Sequence, residues 1–117
     1  MNTLYYLSTC DTCKRILKEL EPLDNIHLID IKTQPITEDQ LEEMKQLAGS
    51  YEALFSKRAR LYKERGLKDR VLSEADFKSL LLEHYTFLKR PVTIIDGQIF
   101  VGNYAKVVAA AKELLHS

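Results

Sequence analysis

The chain carries strand-like sequence near each end, and between them a long middle segment, residues 36–85, whose apolar positions follow a helical period. This division limits the fold more than any single residue does. Near the start, Thr3-Leu4-Tyr5-Tyr6-Leu7 alternates as a strand does. Cys13, Ile16, Leu17 and Leu20 then recur at helical spacing until Glu21-Pro22 ends the pattern, and Ile26-His27-Leu28-Ile29-Asp30-Ile31 is strand-like again. A helix between two strands is the crossover that parallel pairing needs, so residues 3–31 are expected to form a βαβ unit. At the other end, Val92-Thr93-Ile94-Ile95 and Gln98-Ile99-Phe100-Val101 flank Asp96-Gly97, a two-residue hairpin signal. Gly102-Asn103 then precedes a final helix with Val107, Val108, Ala111, Leu114 and Leu115 along one side.

In the middle segment, Thr37 and Gln40 have the capping-box spacing ahead of Leu41, Met44, Leu47 and Ala48, and Gly49 is a stop signal. Tyr51, Leu54, Phe55 and Tyr62 continue the helical period. Ser73 is placed to cap a further helix bearing Phe77, Leu80, Leu81 and His84. The whole insertion is therefore expected to be helical. The element order, βαβ, three helices, then ββα, predicts an α/β fold: a thioredoxin-like core with a mixed four-stranded sheet, built from residues 1–35 and 86–117. An all-helical insertion at 36–85 completes a single domain over 1–117. A hydrophobic content of 45% in 117 residues is enough for one core.

Several function classes lose ground on composition. The 17 Lys and Arg balance the 17 Asp and Glu, so no net field draws the chain to nucleic acid, and direct nucleic-acid binding is not expected. The N-terminus has no basic stretch leading into an apolar run, and no window approaches the roughly 18 apolar residues of a membrane span. Cytoplasmic residence without membrane attachment is the expectation.

Cys10 and Cys13 are the two cysteines, and a pair so close in sequence cannot staple distant segments together. Cys10 falls where the first strand gives way to the first helix, where free N–H groups and the helix dipole favour a thiolate. It is the predicted nucleophile, with Lys14 and Arg15 placed to assist its ionisation. Cys13 sits one turn further on, within reach of a mixed disulfide formed at Cys10, and is the predicted resolving thiol. A zinc site would need two more ligands, and His27, His84 and His116 do not have the finger spacing. No metal is expected. The bland alternative, two buried cysteines with no chemistry, is disfavoured by their position at a helix start. Arg90-Pro91 opens the hairpin, and in a thioredoxin-like arrangement that loop lies near the first helix, so a cis bond is expected there. Residues 56–70 hold seven cations against two acids, a pattern that by itself describes a solvated helix face.

Taken together, these positions resemble the arsenate reductase (ArsC) and Spx family of thioredoxin-fold proteins over essentially the whole chain. The features shared are a cysteine after strand one, a helical insertion containing Lys57-Arg58, and Arg90-Pro91-Val92 leading into the last hairpin. The resemblance implies catalytic roles for Cys10, Cys13 and Arg90, and substrate binding by Arg58, Arg90 and Pro91. It implies no bound cofactor, with glutathione, glutaredoxin or thioredoxin as reductant and partner. Glutathione-linked arsenate reductases of the family carry His-Asn-Pro-x-Cys and three arginines. Here Tyr6-Leu7-Ser8-Thr9-Cys10 replaces the first motif, Tyr62 and Gly102 stand at two of the arginine positions, and only Arg90 carries over. Each missing arginine forfeits a charge-assisted contact of about 1.5–3 kcal/mol. The Cys10-x-x-Cys13 pair, Lys57-Arg58 and Val101-Gly102 look more like the Spx-type and uncharacterised glutathione-linked branches. The functional expectation is thus a thiol–disulfide oxidoreductase of the arsenate reductase-like family. The second reading is a redox-sensing transcription regulator that binds the RNA polymerase α subunit.

Overall fold

The computed structural model describes residues 2–117, which fall into two compact units. One comprises the chain up to Gln34 together with Arg90–Ser117; the other is Pro35–Lys89.

In the first unit, β1 (Thr3–Tyr6), α1 (Asp11–Leu20) and β2 (His27–Asp30) form the expected βαβ unit, with Thr3 opposite His27 and Tyr6 opposite Asp30 in parallel register. Both strands are slightly shorter than the apolar runs that encode them, because Leu7 and Ile31 leave the ladder while staying buried. β3 (Val92–Ile95) pairs antiparallel with β1, and β4 (Gln98–Val101) antiparallel with β3, giving the mixed order β2-β1-β3-β4. Asp96 and Gly97 both have positive φ, at 50° and 78°, the backbone of a type I′ turn whose twist matches the strands it joins. The last helix, α5 (Ala105–Leu115), completes the unit.

The apolar stripe of α1 and one side of α5 meet the sheet in a single cluster. Leu4, Ile16, Leu20, Ile26, Ile95, Val108 and Ala111 are buried there, with Tyr6, Leu17, Phe100 and Leu114 packed around them. Burying a Leu or Ile side chain contributes about 1.5–3 kcal/mol, so this cluster fixes α1 against the sheet. His116 extends from the end of α5 to hydrogen-bond the Leu20 carbonyl at the C-terminal end of α1, 2.7 Å away.

The second unit contains α2 (Glu38–Ala48), α3 (Arg60–Glu64) and α4 (Glu74–Glu83). Thr37 and Gln40 form the predicted capping box on α2, and Ser73 and Asp76 form one on α4. Between these helices the structure departs from the sequence reading. The stretch from Tyr51 to Arg70 is broken into short 3₁₀ turns at Glu52–Leu54 and Leu67–Asp69 and the five-residue α3. Gly49 at φ 98° ends α2, and Gly66 at φ 63° separates α3 from the turn at Leu67–Asp69; both are left-handed, which breaks the run. Phe55 packs against Phe77, Phe87 and Tyr62, with ring centroids 4.9, 5.2 and 5.8 Å apart, and Phe55 and Leu88 form an isolated antiparallel bridge. A straight helix would carry Phe55 and Tyr62 along one line and could not close such a cluster.

Replacing the fully buried Leu4 by Ala is expected to cost about 2–5 kcal/mol in equilibrium urea unfolding. Removing the cap with Thr37→Ala should cost about 1 kcal/mol. A Leu4→Ala loss no larger than that of the cap would contradict the place given to Leu4 in the core.

Candidate active site

The site is built at the C-terminal end of β1. Three residues separate that strand from the predicted nucleophile, and Cys10 closes them into a turn by donating its N–H to the Leu7 carbonyl at 3.0 Å. Cys10 is the N-cap residue of α1, with extended backbone at φ −96° and ψ 116°. Its own carbonyl accepts the first helical bond, from the Lys14 N–H at 3.1 Å. The sulfur makes no fully formed capping hydrogen bond, as expected of a neutral thiol, which is a weak acceptor. It nevertheless lies where N–H groups of the first turn favour its charged form.

The two thiols occupy different environments. Cys10 is partly exposed, whereas Cys13, one turn deeper on the buried stripe of α1, is fully enclosed, and both are free. Burial works against ionisation of Cys10, but the Cys13 N–H and thiol, the Arg90 guanidinium and the Thr12 N–H together outweigh it, and the Cys10 thiol is held below its ordinary pKa. Cys13 is displaced the opposite way. Burial pushes it up to about 11, the negative charge on Cys10 adds to the rise, and the Leu7 N–H and Arg90 only partly offset it. The outer sulfur therefore gives up its proton at lower pH than the inner one.

Arg90 and Pro91 come to the same place from the other end of the chain. They lead into β3, the strand hydrogen-bonded to β1, and the bond between them is cis, as the sequence reading expected; Glu21–Pro22 is cis as well. Pro91 is buried, and its carbonyl accepts the Gly102 N–H at 2.9 Å. Gly102 has φ 91°, a conformation open to glycine, and it can meet Pro91 in this way for that reason.

Comparison with known proteins places this arrangement in context. Residues 5–111 match the model of the ArsC family, which spans most of the chain. The chain belongs to the ArsC family. A Haemophilus influenzae relative, described as an uncharacterized protein, is 30% identical over 115 residues, covering 95% of this chain and 98% of its own. A Streptococcus mutans protein described as a possible arsenate reductase is similar in structure, with TM-score 0.72 and 29% identity over 90% of this chain and 92% of its own. An arsenate reductase from Vibrio cholerae shares the fold at TM-score 0.77 and 22% identity, over 97% of this chain and 96% of the other.

Within this ArsC-family chain, Cys10, Cys13, Arg90 and Pro91 are brought together, all on the first unit. Arg58 lies on the second unit, exposed in the turn before α3. Lys14 and Arg15, expected to assist Cys10, are exposed on α1, and the principal charge acting on Cys10 is that of Arg90. The described residues contain no group of three or more His, Cys, Asp or Glu able to hold a metal ion, and no helix among them is long and apolar enough to cross a membrane. Sequence reasoning missed Ser8 and Asp30. The Ser8 N–H donates to Asp30 Oδ1 at 3.2 Å, tying the turn before Cys10 to the end of β2. The one signal available was a lone acid at the edge of the otherwise apolar run Ile26–Ile31.

Arg90→Gln removes a positive charge that favours the Cys10 thiolate, so the pKa of Cys10 should rise. Alkylation of Cys10 by iodoacetamide at pH 7, followed by peptide mass spectrometry, is expected to slow about threefold, the equivalent of half a pKa unit. An unchanged rate would exclude Arg90 from the electrostatics of the site.

Proposed function

We propose that the chain is a thiol–disulfide oxidoreductase in which Cys10 is the nucleophile, Cys13 the resolving thiol and Arg90 the group that steadies the thiolate and an anionic substrate. The observation that carries this reading is the opposite displacement of two thiols one helical turn apart, a partly exposed one made more acidic and a buried one made less so. Inert packing cysteines have no need of this asymmetry.

In the first step the Cys10 thiolate attacks one sulfur of a substrate disulfide R–S–S–R′. A Cys10–S–S–R bond forms, the S–S bond of the substrate breaks, and R′S⁻ leaves and takes up a proton. Cys13 then gives up its proton and attacks the Cys10 sulfur. The Cys10–Cys13 disulfide forms, RS⁻ departs, and two electrons have passed from protein to substrate. Because the Cys10 charge is one cause of Cys13's high pKa, capture of the substrate removes that contribution just when Cys13 must ionise. Two thiols from glutathione, glutaredoxin or thioredoxin return the protein to its starting state, in keeping with a cytoplasmic setting.

Small disulfides and glutathione adducts fit this site better than arsenate does. A doubly charged oxyanion has Arg90 beside the thiol, while Gly102 offers only backbone. Pro91 completes the proposed substrate-binding set on this unit by shaping the wall next to Arg90.

With glutathione disulfide as substrate, Cys13→Ser should accumulate a protein heavier by one glutathione at Cys10, visible by intact mass spectrometry, while the parent proceeds to the internal disulfide. A variant that turns over as fast as the parent with every reductant would remove Cys13 from the mechanism. The first step needs the thiolate. Its rate should therefore rise with pH through a midpoint below the usual thiol value of about 8.5 and level off above it. A rate still climbing tenfold per unit above pH 8.5 would contradict the assignment of Cys10. Tight association with the RNA polymerase α subunit in the absence of any turnover would favour the regulatory reading instead.

A further inference from the structure

The turn that delivers Cys10 is short, and its two inner residues, Ser8 and Thr9, belong to no strand or helix. Its ends carry the partners of both sulfurs. Leu7, at the start, directs its N–H at Cys13, and Cys10, at the end, caps α1. The orientation of this turn therefore sets the environment of both thiols.

A single side chain ties the turn to the rest of the sheet. Asp30 ends β2, opposite Tyr6 in the parallel ladder, and its Oδ1 accepts the Ser8 N–H at 3.2 Å and the Lys32 N–H at 3.1 Å. The Ser8 hydroxyl also favours the charged form of this carboxyl. Around this point the backbone is locked from both sides. The Ile31 N–H donates to the Tyr6 carbonyl at 2.9 Å, and the Asp30 carbonyl accepts the Thr33 and Gln34 N–H groups at 3.2 and 2.8 Å. The donors from Ser8 hold the Asp30 carboxyl below the ordinary carboxylate range, with partial burial opposing them and the Lys32 N–H and charge assisting. It is a charged acceptor throughout the pH range in which Cys10 reacts.

Building on the dithiol reading above, we propose that Asp30 is a positioning residue for the dithiol: its carboxylate clamps the Leu7–Cys10 turn to the end of β2, and so keeps the Cys10 sulfur against the first-turn N–H groups of α1. Asp30 acts through the backbone of the turn. Two N–H groups on one carboxylate oxygen are charge-assisted bonds, each stronger than a neutral one, which suits them to restraining a turn that would otherwise sample other orientations. When the clamp is lost, the N–H groups of Thr12 and Cys13 are no longer aimed at Cys10, and part of its acidity goes with them.

The test compares the full chain with Asp30→Ala and Asp30→Asn, reading the pH midpoint of Cys10 alkylation by peptide mass spectrometry. Asp30→Ala is expected to raise the midpoint, leaving Cys10 roughly three- to tenfold less reactive at pH 7, equivalent to half to one pKa unit. Asp30→Asn keeps an acceptor oxygen, so it should fall nearer the parent than Asp30→Ala does. A folded Asp30→Ala protein with the parent's midpoint would overturn the proposal. So would an Asp30→Asn midpoint as high as that of Asp30→Ala. A second measurement uses the unmodified protein and applies even if Asp30→Ala does not fold. In proton–nitrogen spectra the Ser8 amide should shift with the titration of Asp30 and exchange at least tenfold more slowly than a free loop amide. A Ser8 amide that exchanges at the free rate, or does not sense the carboxylate, would refute the clamp. These outcomes are separate from the dithiol reading, which ordinary alkylation of Cys10 in the parent would contradict whatever Asp30 does.

Discussion

Parallel pairing between β1 and β2 is the constraint from which the site follows. Two adjacent parallel strands cannot be joined by a tight turn, so the chain must leave β1, cross the sheet and return, and here α1 is the crossing element. That route places the N-terminal end of α1 directly after the C-terminal end of β1, with only the Leu7–Cys10 turn between. Any residue at that junction meets unsatisfied N–H groups and the positive end of a helix dipole. A cysteine there is biased towards its thiolate before any other group is considered. The burial of Ile16 and Leu20 fixes which face of α1 points inward, and Cys13 lies on that face.

From this the difference between the sulfurs follows. A single helical turn carries the chain from a partly exposed N-cap into the core, and the cost of charge rises steeply over that distance. The antiparallel strand β3 then brings Arg90 to the same end of the sheet and adds a fixed positive charge. Strand order and helix placement thus do electrostatic work. Three segments distant in sequence, Ser8–Cys13, Asp30 and Arg90-Pro91, are assembled into one site because β1 has β2 on one side and β3 on the other.

Much of this was legible in the sequence, where the signals are local and strong. The Asp96-Gly97 turn, the capping box at Thr37, the cap at Ser73 and the βαβ pattern all correspond to elements of the structure, because each rests on short-range backbone chemistry. The spacing of Tyr51, Leu54, Phe55 and Tyr62 predicts helix through the middle of the insertion, where the structure has short 3₁₀ turns and the five-residue α3. These apolar residues recur at helical spacing, but Phe55 packs on Phe77 and Phe87, far along the chain, and aromatic packing of that kind overrides local periodicity. At the candidate site, Cys10, Cys13 and Arg90-Pro91 stand out in the sequence, and the structure brings them together. Asp30 does not stand out, since its importance lies in a hydrogen bond to Ser8, and an acid at the end of a strand looks like any other surface charge. The separation between the two thiols depends on burial and on Arg90, so it too required the fold.

The central claim is that the dithiol is electrostatically divided, and the most direct measurement is a pH titration of the reduced protein labelled with carbon-13 at the cysteine β carbons. Two separate transitions are expected. The first, dominated by the Cys10 signal, should fall below the ordinary thiol range, and the second, dominated by Cys13, should fall near 11. Two signals that move together through the ordinary thiol range, or a Cys13 signal that moves first, would contradict the account.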